Sequence, residues 1–335
     1  MSWVSDFTEM LFPLDPENMN IEGAYGLKYR NLPPSIFKFR AVTDYSIRNL
    51  EESKVWLADP RSSNDPYDCA HSIDIEQMIN ESNRKNPHKL GAMLQQKLPA
   101  DVIAEIQKSA APQEMLIAAA VAHEPIEKRE RTKSMLQSVL NAAYEEMVRS
   151  NSEQLKGLFK LCSFSERLDS TLMWAHYANY HKGFCIEYDV KALPQTDFRS
   201  RFLYPVIYSD RLFDATPHFM KRVEHKPVNI LYLNMAALVK ATDWSYEKEW
   251  RLLFGNGVLK DEQAYAMPTP KAVYLGSHIE SINQQTLIDI CVKQKIPVQK
   301  MKHSPREFLM VPCSIEEADR QFPSGRAIIK HDGKA

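Results

Sequence analysis

Two glutamates stand two residues apart in the segment YEKEWR, residues 246–251, where a predicted strand begins. Side chains at this spacing on an extended chain project from the same side, so both carboxylates can reach one ligand. One carboxylate can stabilise positive charge that develops on a sugar carbon when a bond breaks, and the other can orient or deprotonate an acceptor. The spacing predicts Glu249 in the first role and Glu247 in the second. The alternative is a structural pair that binds cations such as Lys248 and Arg251.

An arginine and two serines precede the glutamates on other predicted strands. Arg40 ends one strand, and Ser163 and Ser165 share one face of another. An arginine, a Ser-x-Ser and a Glu-x-Glu in this chain order resemble the recurring triad of ADP-ribosyltransferases. The resemblance implies NAD as the substrate, with its phosphate or ribose oxygens held by Arg40 and its sugar braced by the serine hydroxyls. The separation between Ser165 and Glu247 along the chain is wider than in the compact bacterial toxins of that family.

The loop at residues 60–68 is rich in proline, serine, asparagine and aspartate. Such side chains bond their own backbone, so we expect a rigid loop beside the site with Tyr67 directed inward. Simple turn chemistry is the alternative. The predicted NAD-binding side chains also include Lys38, Asn64, Asp65, His176, Tyr177 and Tyr246. No metal is expected. The acceptor of the ADP-ribosyl group stays open among protein, DNA, RNA and water.

Several longer motifs carry a second resemblance. They are KFRAV (38–42), NDPYDC (64–69), CSFSE (162–166), LMWAHYANYHKGFCIEYD (172–189) and WSYEKEWRLLF (244–254). Together they resemble a bacterial family known only as a domain of unknown function, which is similar to abortive-infection proteins that act against phage. The resemblance covers about residues 36–275, with 73–160 as its variable part. It implies a phage-defence or toxin effector.

A metal-dependent hydrolase or nuclease is a second catalytic interpretation, based on His176 and His181. Histidines five residues apart do not stack on one helix face as i,i+4 ligands do, which weakens this interpretation. The remaining ligands would come from Asp65, Asp68 or Cys69.

A Cys–His hydrolase would use Cys162 or Cys185, but both lie in apolar strand segments that are typical of a core. A non-catalytic ligand-sensing or interaction module is the third class of function. Its groove would be lined by the aromatic residues Trp174, Tyr177, Tyr180, Trp244 and Trp250. The chain has ten glycines and no Gly-rich phosphate loop, so Rossmann and P-loop nucleotide binding are not indicated.

The composition is that of an ordinary globular protein of 335 residues, with 44% hydrophobic and 25% charged residues. A net charge of −1 argues against a surface built for bulk nucleic-acid binding. The five cysteines are scattered and show no CxxC spacing, which favours a reducing compartment over a disulfide framework. The N-terminus lacks a signal-peptide pattern, and no apolar run reaches the ~20 residues of a membrane span. We therefore expect a cytoplasmic protein that does not enter a membrane.

A sheet must position the candidate residues, and the pattern predicts one α+β domain at residues 36–320. We expect a mixed or antiparallel bent sheet, or two packed sheets, as in ADP-ribosyltransferases. An N-terminal extension (1–35) precedes it, a helical insertion (73–160) interrupts it, and a C-terminal tail (321–335) follows. Alternation predicts strands at 36–40, 54–58, 161–165, 184–189, 201–209, 249–254, 272–275 and 297–300. Helical spacing predicts helices capped by Thr43 or Asp44 and by Asp169 or Ser170, and others at 228–241 and 280–293.

Overall fold

The structure, a computed structural model, describes residues 2–86, 99–255, 258 and 264–321. The helices are α1 (Trp3–Leu11), α2 (Ile21–Arg30), α3 (Asp44–Glu51), α4 (Ile75–Lys85), α5 (Ala100–Lys108), α6 (Pro112–Ala120), α7 (Ile126–Lys156), α8 (Thr171–Tyr177), α9 (Phe198–Arg201), α10 (Thr216–Val223), α11 (Ser281–Gln294) and α12 (Ile315–Gln321). The strands are β1 (Ile36–Arg40), β2 (Lys54–Trp56), β3 (His71–Ser72), β4 (Phe159–Ser165), β5 (Phe184–Tyr188), β6 (Leu203–Pro205), β7 (Ile207–Ser209), β8 (Phe213–Asp214), β9 (Val239–Ala241), β10 (Glu249–Gly255), β11 (Ala264–Ala266), β12 (Ala272–Leu275), β13 (Val298–His303) and β14 (Met310–Cys313). Turns of 3-10 helix lie at Pro16–Asn18, Pro60–Ser62, Tyr232–Ala237 and Thr242–Glu247.

One mixed sheet of eight strands organises the fold, in the order β14-β13-β12-β5-β1-β4-β10-β6. Its neighbouring strands run antiparallel except β12 and β13, which are parallel. On β4 and β10, Phe164 pairs with Trp250, and the next pair, Ser165 with Glu249, projects from the other face. The predicted α+β class with a mixed sheet is confirmed.

The strands β1 and β4 separate beyond one shared position, and this separation opens a cleft in the sheet. Phe37 of β1 lies opposite Ser165 of β4, whereas β1 pairs with β5 from Ile36 to Arg40. Ala58, which follows β2, then becomes a partner of β4. Its amide donates to the Leu161 carbonyl at 2.7 Å, and its carbonyl accepts from the Leu161 amide at 3.0 Å. The Leu161 backbone is satisfied by this exchange, so β1 and β4 can part at little cost there.

Apolar side chains cover both faces of the sheet. On one face, Phe164 and Trp250 belong to a core cluster that includes Leu287 of α11. On the other face, Trp174 of α8 packs edge-on against Phe39, with ring centroids 5.1 Å apart. The two faces therefore anchor α11 and α8 on opposite sides of the central strands.

Two helices next to the central strands begin at predicted caps. Thr43 accepts a hydrogen bond from the Ser46 amide, and the Ser46 side chain accepts one from the Thr43 amide, which forms a capping box for α3. Ser170 accepts from the Met173 amide at the start of α8. These contacts confirm Thr43 and Ser170 as caps.

The segment before β1 forms two helices packed on the sheet. Phe7 and Leu11 of α1 are fully buried. The ammonium group of Lys28 in α2 donates to the carbonyls of Ser200 at 2.8 Å and Leu203 at 2.8 Å. Burial holds the pKa of Lys28 well below its ordinary value. These hydrogen bonds fix α2 to the segment that leads into β6.

Two predicted elements differ from the structure. Residues 228–241, predicted as one buried helix, form an irregular turn, a 3-10 turn and the strand β9. The side chain of Asn229 donates to the carbonyls of Leu11 and Pro13 and accepts from the Leu231 amide, and these bonds compete with a regular helix. Residues 201–209, predicted as one strand, divide into β6 and β7, which lie in different sheets. Pro205 has no amide proton with which to continue the ladder.

The predicted helical insertion at 73–160 is largely helical where the structure describes it, from α4 to α7, and β4 begins within its last residues. Residues 87–98 of the insertion, and all of the predicted tail except Gln321, lie outside the described residues. Within the described chain, no helix combines the length and apolarity that crossing a membrane requires.

Candidate functional site

The cleft between β1 and β4 gathers most of the polar residues that the sequence singled out. Its cavity holds about 210 Å³. The walls come from β1, β4, α8 and the loop that follows β2. Among the lining residues are Phe37, Lys38, Phe39, Ser63, Asn64, Asp68, Ser163, Ser165, Tyr177, Lys240, Glu247 and Glu249.

Glu249 opens β10 at the bottom of this cleft and is buried. Arg251 donates to its carboxylate twice, from Nε to Oε1 at 2.8 Å and from Nη2 to Oε2 at 3.1 Å. Nζ of Lys240 donates to Oε2 at 2.9 Å. Although burial disfavours the charged carboxylate, Arg251, Lys240 and a hydrogen bond from Ser163 hold the pKa of Glu249 below its ordinary value. Glu249 is therefore an anion at neutral pH.

Glu247 ends the 3-10 turn Thr242–Glu247 and is also buried. The hydroxyl of Tyr177 donates to its Oε1 at 2.5 Å, and Lys240 donates to its Oε2 at 2.5 Å. Burial and the neighbouring charge of Glu249 raise the pKa of Glu247. The two carboxylates thus lie side by side with their pKa values shifted in opposite directions.

The glutamates converge for a reason that the sequence pattern did not show. Alternation along a strand predicted that both side chains project from one side, but Glu247 lies in a 3-10 turn before the strand. Lys248, between the glutamates, has a φ of 42°, in the left-handed region. A non-glycine residue rarely adopts this conformation without a supporting environment. The turn brings both carboxylates to one ammonium group.

The loop at residues 60–68 is attached to the same ion network. Arg251, which is fully buried, donates from Nη1 to Asp68 Oδ1 at 2.7 Å. Ser63 donates to Asp68 Oδ2 at 3.1 Å, and Asp65 accepts from the Tyr67 amide at 2.9 Å. These contacts place the loop beside the cleft, as predicted, and its predicted rigidity stays a prediction. The predicted inward orientation of Tyr67 is wrong, since its side chain is 65% exposed.

The two serines support the glutamates through different groups. Ser165 donates to the backbone carbonyl of Glu247 at 2.5 Å. The side chain of Ser163 contributes to the lowered pKa of Glu249. Its carbonyl accepts a hydrogen bond from Lys38 at 2.8 Å. Burial lowers the pKa of Lys38.

Arg40 is not among the residues that line the cleft. It pairs with Phe184 on β5, three positions beyond Phe37. On β1 it shares a face with Lys38, which does line the cleft, so its position two residues further along the strand, and not strand alternation, separates it from the lining. The prediction that Arg40 acts together with Glu249 stays a prediction.

Three other predicted NAD contacts lie beside the cleft rather than in it. Asp65 stabilises the loop. His176 lines a neighbouring shallow cavity with Tyr180, and Tyr177 borders both cavities. Tyr246 packs at the edge of the apolar cluster around Phe39.

The structure separates the residues of the metal interpretation. His181 packs against His278 and His303, with ring centroids 5.8 and 5.4 Å away, while Asp68 binds Arg251. In the described part of the chain, no group of three or more histidine, cysteine, aspartate or glutamate side chains is arranged to hold a metal ion.

The cysteines named as nucleophiles are buried in the strands. Burial raises the pKa of Cys185 well above its ordinary value, which leaves it as an unreactive thiol at neutral pH. Cys69, next to the ion network, has its pKa raised to about 12, chiefly by burial. None of these three thiols has the electropositive, accessible setting of a nucleophile.

Sequence reasoning missed Lys240 and assigned Arg251 only to the structural alternative. Lys240 was hidden inside an apolar stretch predicted as a helix, and no motif marks it. Arg251 did carry a signal, because it follows Glu249 by two residues on a predicted strand and so shares its face.

Comparison with known proteins gives one match. Residues 173–252 match the family model described as Protein of unknown function (DUF2971). The matched segment contains Tyr177, Lys240, Glu247, Glu249 and Arg251, but not β1, β4 or the loop at 60–68. No curated protein and no solved structure matches the chain. The predicted resemblance to a domain of unknown function is confirmed for this segment, which is shorter than the predicted range of 36–275.

Proposed function

We propose that the cleft is the active site of an NAD-cleaving enzyme, either an ADP-ribosyltransferase or an NAD glycohydrolase. One observation carries the proposal: two buried carboxylates share the ammonium group of Lys240, and their pKa values are shifted in opposite directions. Pairs of acids whose environments separate their pKa values are typical of sites that use one as an ion and the other in proton transfer. A role in phage defence or as a toxin effector fits this reaction and is part of the proposal.

The proposed reaction breaks the bond between the ribose carbon C1′ and the nicotinamide nitrogen. The bonding electrons pass to that nitrogen and neutralise the pyridinium ring, while positive charge develops on the ribose. Glu249, held ionised, stabilises this charge. The oxygen of water or another acceptor then bonds to C1′, and ionised Glu247 takes its proton. Tyr177 positions Glu247 through its 2.5 Å hydrogen bond.

The size and lining of the cleft favour one half of the dinucleotide. A volume of about 210 Å³ is below the ~300–1,000 Å³ of sites that enclose whole drug-sized ligands. Phe37, Phe39 and Tyr177 offer aromatic surface to a flat ring. The nicotinamide and its ribose are assigned to the cleft. Lys38 replaces Arg40 as the cation assigned to the phosphates, since Lys38 lines the cavity and Arg40 does not.

A ligand-binding module without catalysis is the second candidate. It is favoured by the hydrogen bonds of Glu249, because both of its carboxylate oxygens already have cationic partners. Such a network can be entirely structural. Under this candidate the cleft binds a ligand and leaves it unchanged.

Release of nicotinamide tests the proposal and separates the two candidates. The full chain is incubated with NAD alone, with a cell extract and with nucleic acid, and free nicotinamide is quantified by chromatography. The proposal predicts nicotinamide in at least one mixture, and none when NAD is omitted. A melting temperature that rises with NAD, without nicotinamide in any mixture, favours the binding module. If NAD causes neither nicotinamide release nor a rise in melting temperature, both candidates are wrong about this ligand.

A further inference from the structure

The helix α7 is long and contacts the rest of the protein unevenly. It has 31 residues, which corresponds to about 46 Å. Its buried residues are Leu155 and Lys156 at the C-terminal end, where Lys156 donates to the Pro66 carbonyl at 2.9 Å. Further along, Gln137 and Tyr144 face α4 and α6 across a cavity of about 540 Å³. One side of α7 is therefore directed at its own chain.

The opposite side of α7 carries an apolar stripe. It consists of Met135, Leu136, Val139, Leu140, Ala143 and Met147. At about 100° per residue, the middle of this stripe lies about 140° around the helix from the middle of the α7 residues that line this cavity, which are Gln137, Asn141, Tyr144, Glu145 and Val148. Met135 is 68% exposed, Val139 58% and Met147 38%. Adjacent exposed apolar side chains on one helix face are typical of a surface that another helix covers.

Charge is distributed unevenly on the two sides of the stripe. Residues 126–134 contain four basic and two acidic side chains, and residues 144–154 contain three acidic and one basic. The centres of the two segments lie equally far along the helix from the midpoint between Val139 and Leu140. A second α7 laid antiparallel about a two-fold axis at this point places each basic segment beside an acidic one. A parallel arrangement would place like charges together.

We propose that α7 pairs antiparallel with α7 of a second copy of this chain, with the two-fold axis near Val139. The stripe of one copy covers the stripe of the other, and Lys133 of each copy approaches Glu146 of its partner. The self-complementary charge selects a second copy as the occupant. This inference concerns the helical insertion and is independent of the function proposed for the cleft.

Charge reversal tests the pairing and its direction. The variants Lys133→Glu and Glu146→Lys alter exposed side chains, so their melting temperatures should stay close to that of the wild type. Sedimentation equilibrium of the full chain should give dimers for the wild type and monomers for each variant. An equimolar mixture of the two variants should restore dimers, because both contacts are then between opposite charges. A monomeric wild type up to the highest soluble concentration, or a mixture that stays monomeric, overturns the proposal.

A cysteine substitution locates the axis independently of charge. The native cysteines, all five within the described residues, are buried, so an engineered surface thiol is the one available for oxidation. Val139→Cys should give a disulfide-linked dimer after mild oxidation. Arg149→Cys is the matched control: Arg149 is 74% exposed, yet ten residues from the axis, which separates the two thiols by about 30 Å. Cross-linking of the control but not of Val139→Cys would overturn the proposed register.

Discussion

Glu247 and Glu249 are held together by one ammonium group, since Nζ of Lys240 lies 2.5 Å from Oε2 of Glu247 and 2.9 Å from Oε2 of Glu249. The two carboxylates are buried side by side, so their mutual repulsion is not weakened by water. Lys240 offsets this repulsion, and Arg251 adds a second positive charge on the side of Glu249. The stability of the site and its proposed chemistry depend on the same four side chains.

Removal of the shared ammonium should destabilise the protein. Lys240→Met leaves two buried carboxylates with one fewer cationic partner, and breaking a buried ion pair in this way costs about 3–5 kcal/mol. Urea unfolding should show the loss as a lower midpoint. Lys248→Met is the control, because Lys248 stands between the glutamates but is exposed. A loss of less than ~1 kcal/mol in Lys240→Met would show that the carboxylates do not need this cation.

The proposed proton acceptor predicts the pH dependence of activity. Glu247 must be ionised to take a proton, so nicotinamide release should rise with pH through the raised pKa of Glu247. The hydrogen bond from Tyr177 lowers the pKa of Glu247. Tyr177→Phe should therefore move the acid limb of the pH–rate profile to higher pH. Tyr180→Phe, at a residue that is 75% exposed, should leave the limb in place. A limb that moves to lower pH in Tyr177→Phe would contradict the assignment.

Two buried histidines predict a loss of stability in mild acid. His71 and His218 are buried, and among the described residues neither ring has a hydrogen-bond partner. Burial lowers the pKa of both from 6.5. As the pH falls, both histidines bind protons at a higher pH in the unfolded chain than in the folded protein. Their contribution to the free energy of unfolding is therefore fully present above about pH 6.5 and is lost as the pH falls toward the lowered pKa values.

Urea midpoints measured between pH 7.5 and 5 check this dependence. The midpoint of the wild type should fall with pH, and the double variant His71→Leu/His218→Leu should show a shallower slope. His123→Leu, at an exposed residue, is the control and should retain the slope of the wild type. Equal slopes in the wild type and the double variant would exclude these two histidines as the cause.

Local patterns in the sequence predicted the elements next to the cleft. Alternation located β1, β4, β5 and β10, and side-chain hydrogen bonding located the caps Thr43 and Ser170. These features depend on residues close together in the chain, which is why the sequence shows them. The position at which β1 separates from β4 depends on Ala58, which takes the place of β1 as the hydrogen-bond partner of β4. No local sequence pattern predicts this long-range contact.

The candidate site was predictable only in part, for a related reason. Glu247, Glu249, Ser163 and Ser165 carry recognisable spacing, and the structure brings them to one cleft. Lys240 comes from a segment whose apolar residues suggested a helix. The structure instead forms a 3-10 turn and a short strand from these residues. Arg40 shares a strand face with Lys38, which lines the cleft, so alternation along β1 could not show that Arg40 is absent from the lining.

Nicotinamide release by Glu249→Gln, compared with the wild type, tests whether Glu249 stabilises the ribosyl cation. The substitution keeps the shape of Glu249 and removes the charge assigned to stabilise the ribosyl cation, so the rate should fall at least about 100-fold. Gln also leaves Arg251 and Lys240 with one fewer anion, and the melting temperature should fall as well. Rates are therefore measured at a temperature at which circular dichroism shows both proteins folded. We expect the wild type to release nicotinamide and the folded variant to release at most about one hundredth as much. A folded Glu249→Gln protein with the activity of the wild type would contradict this expectation.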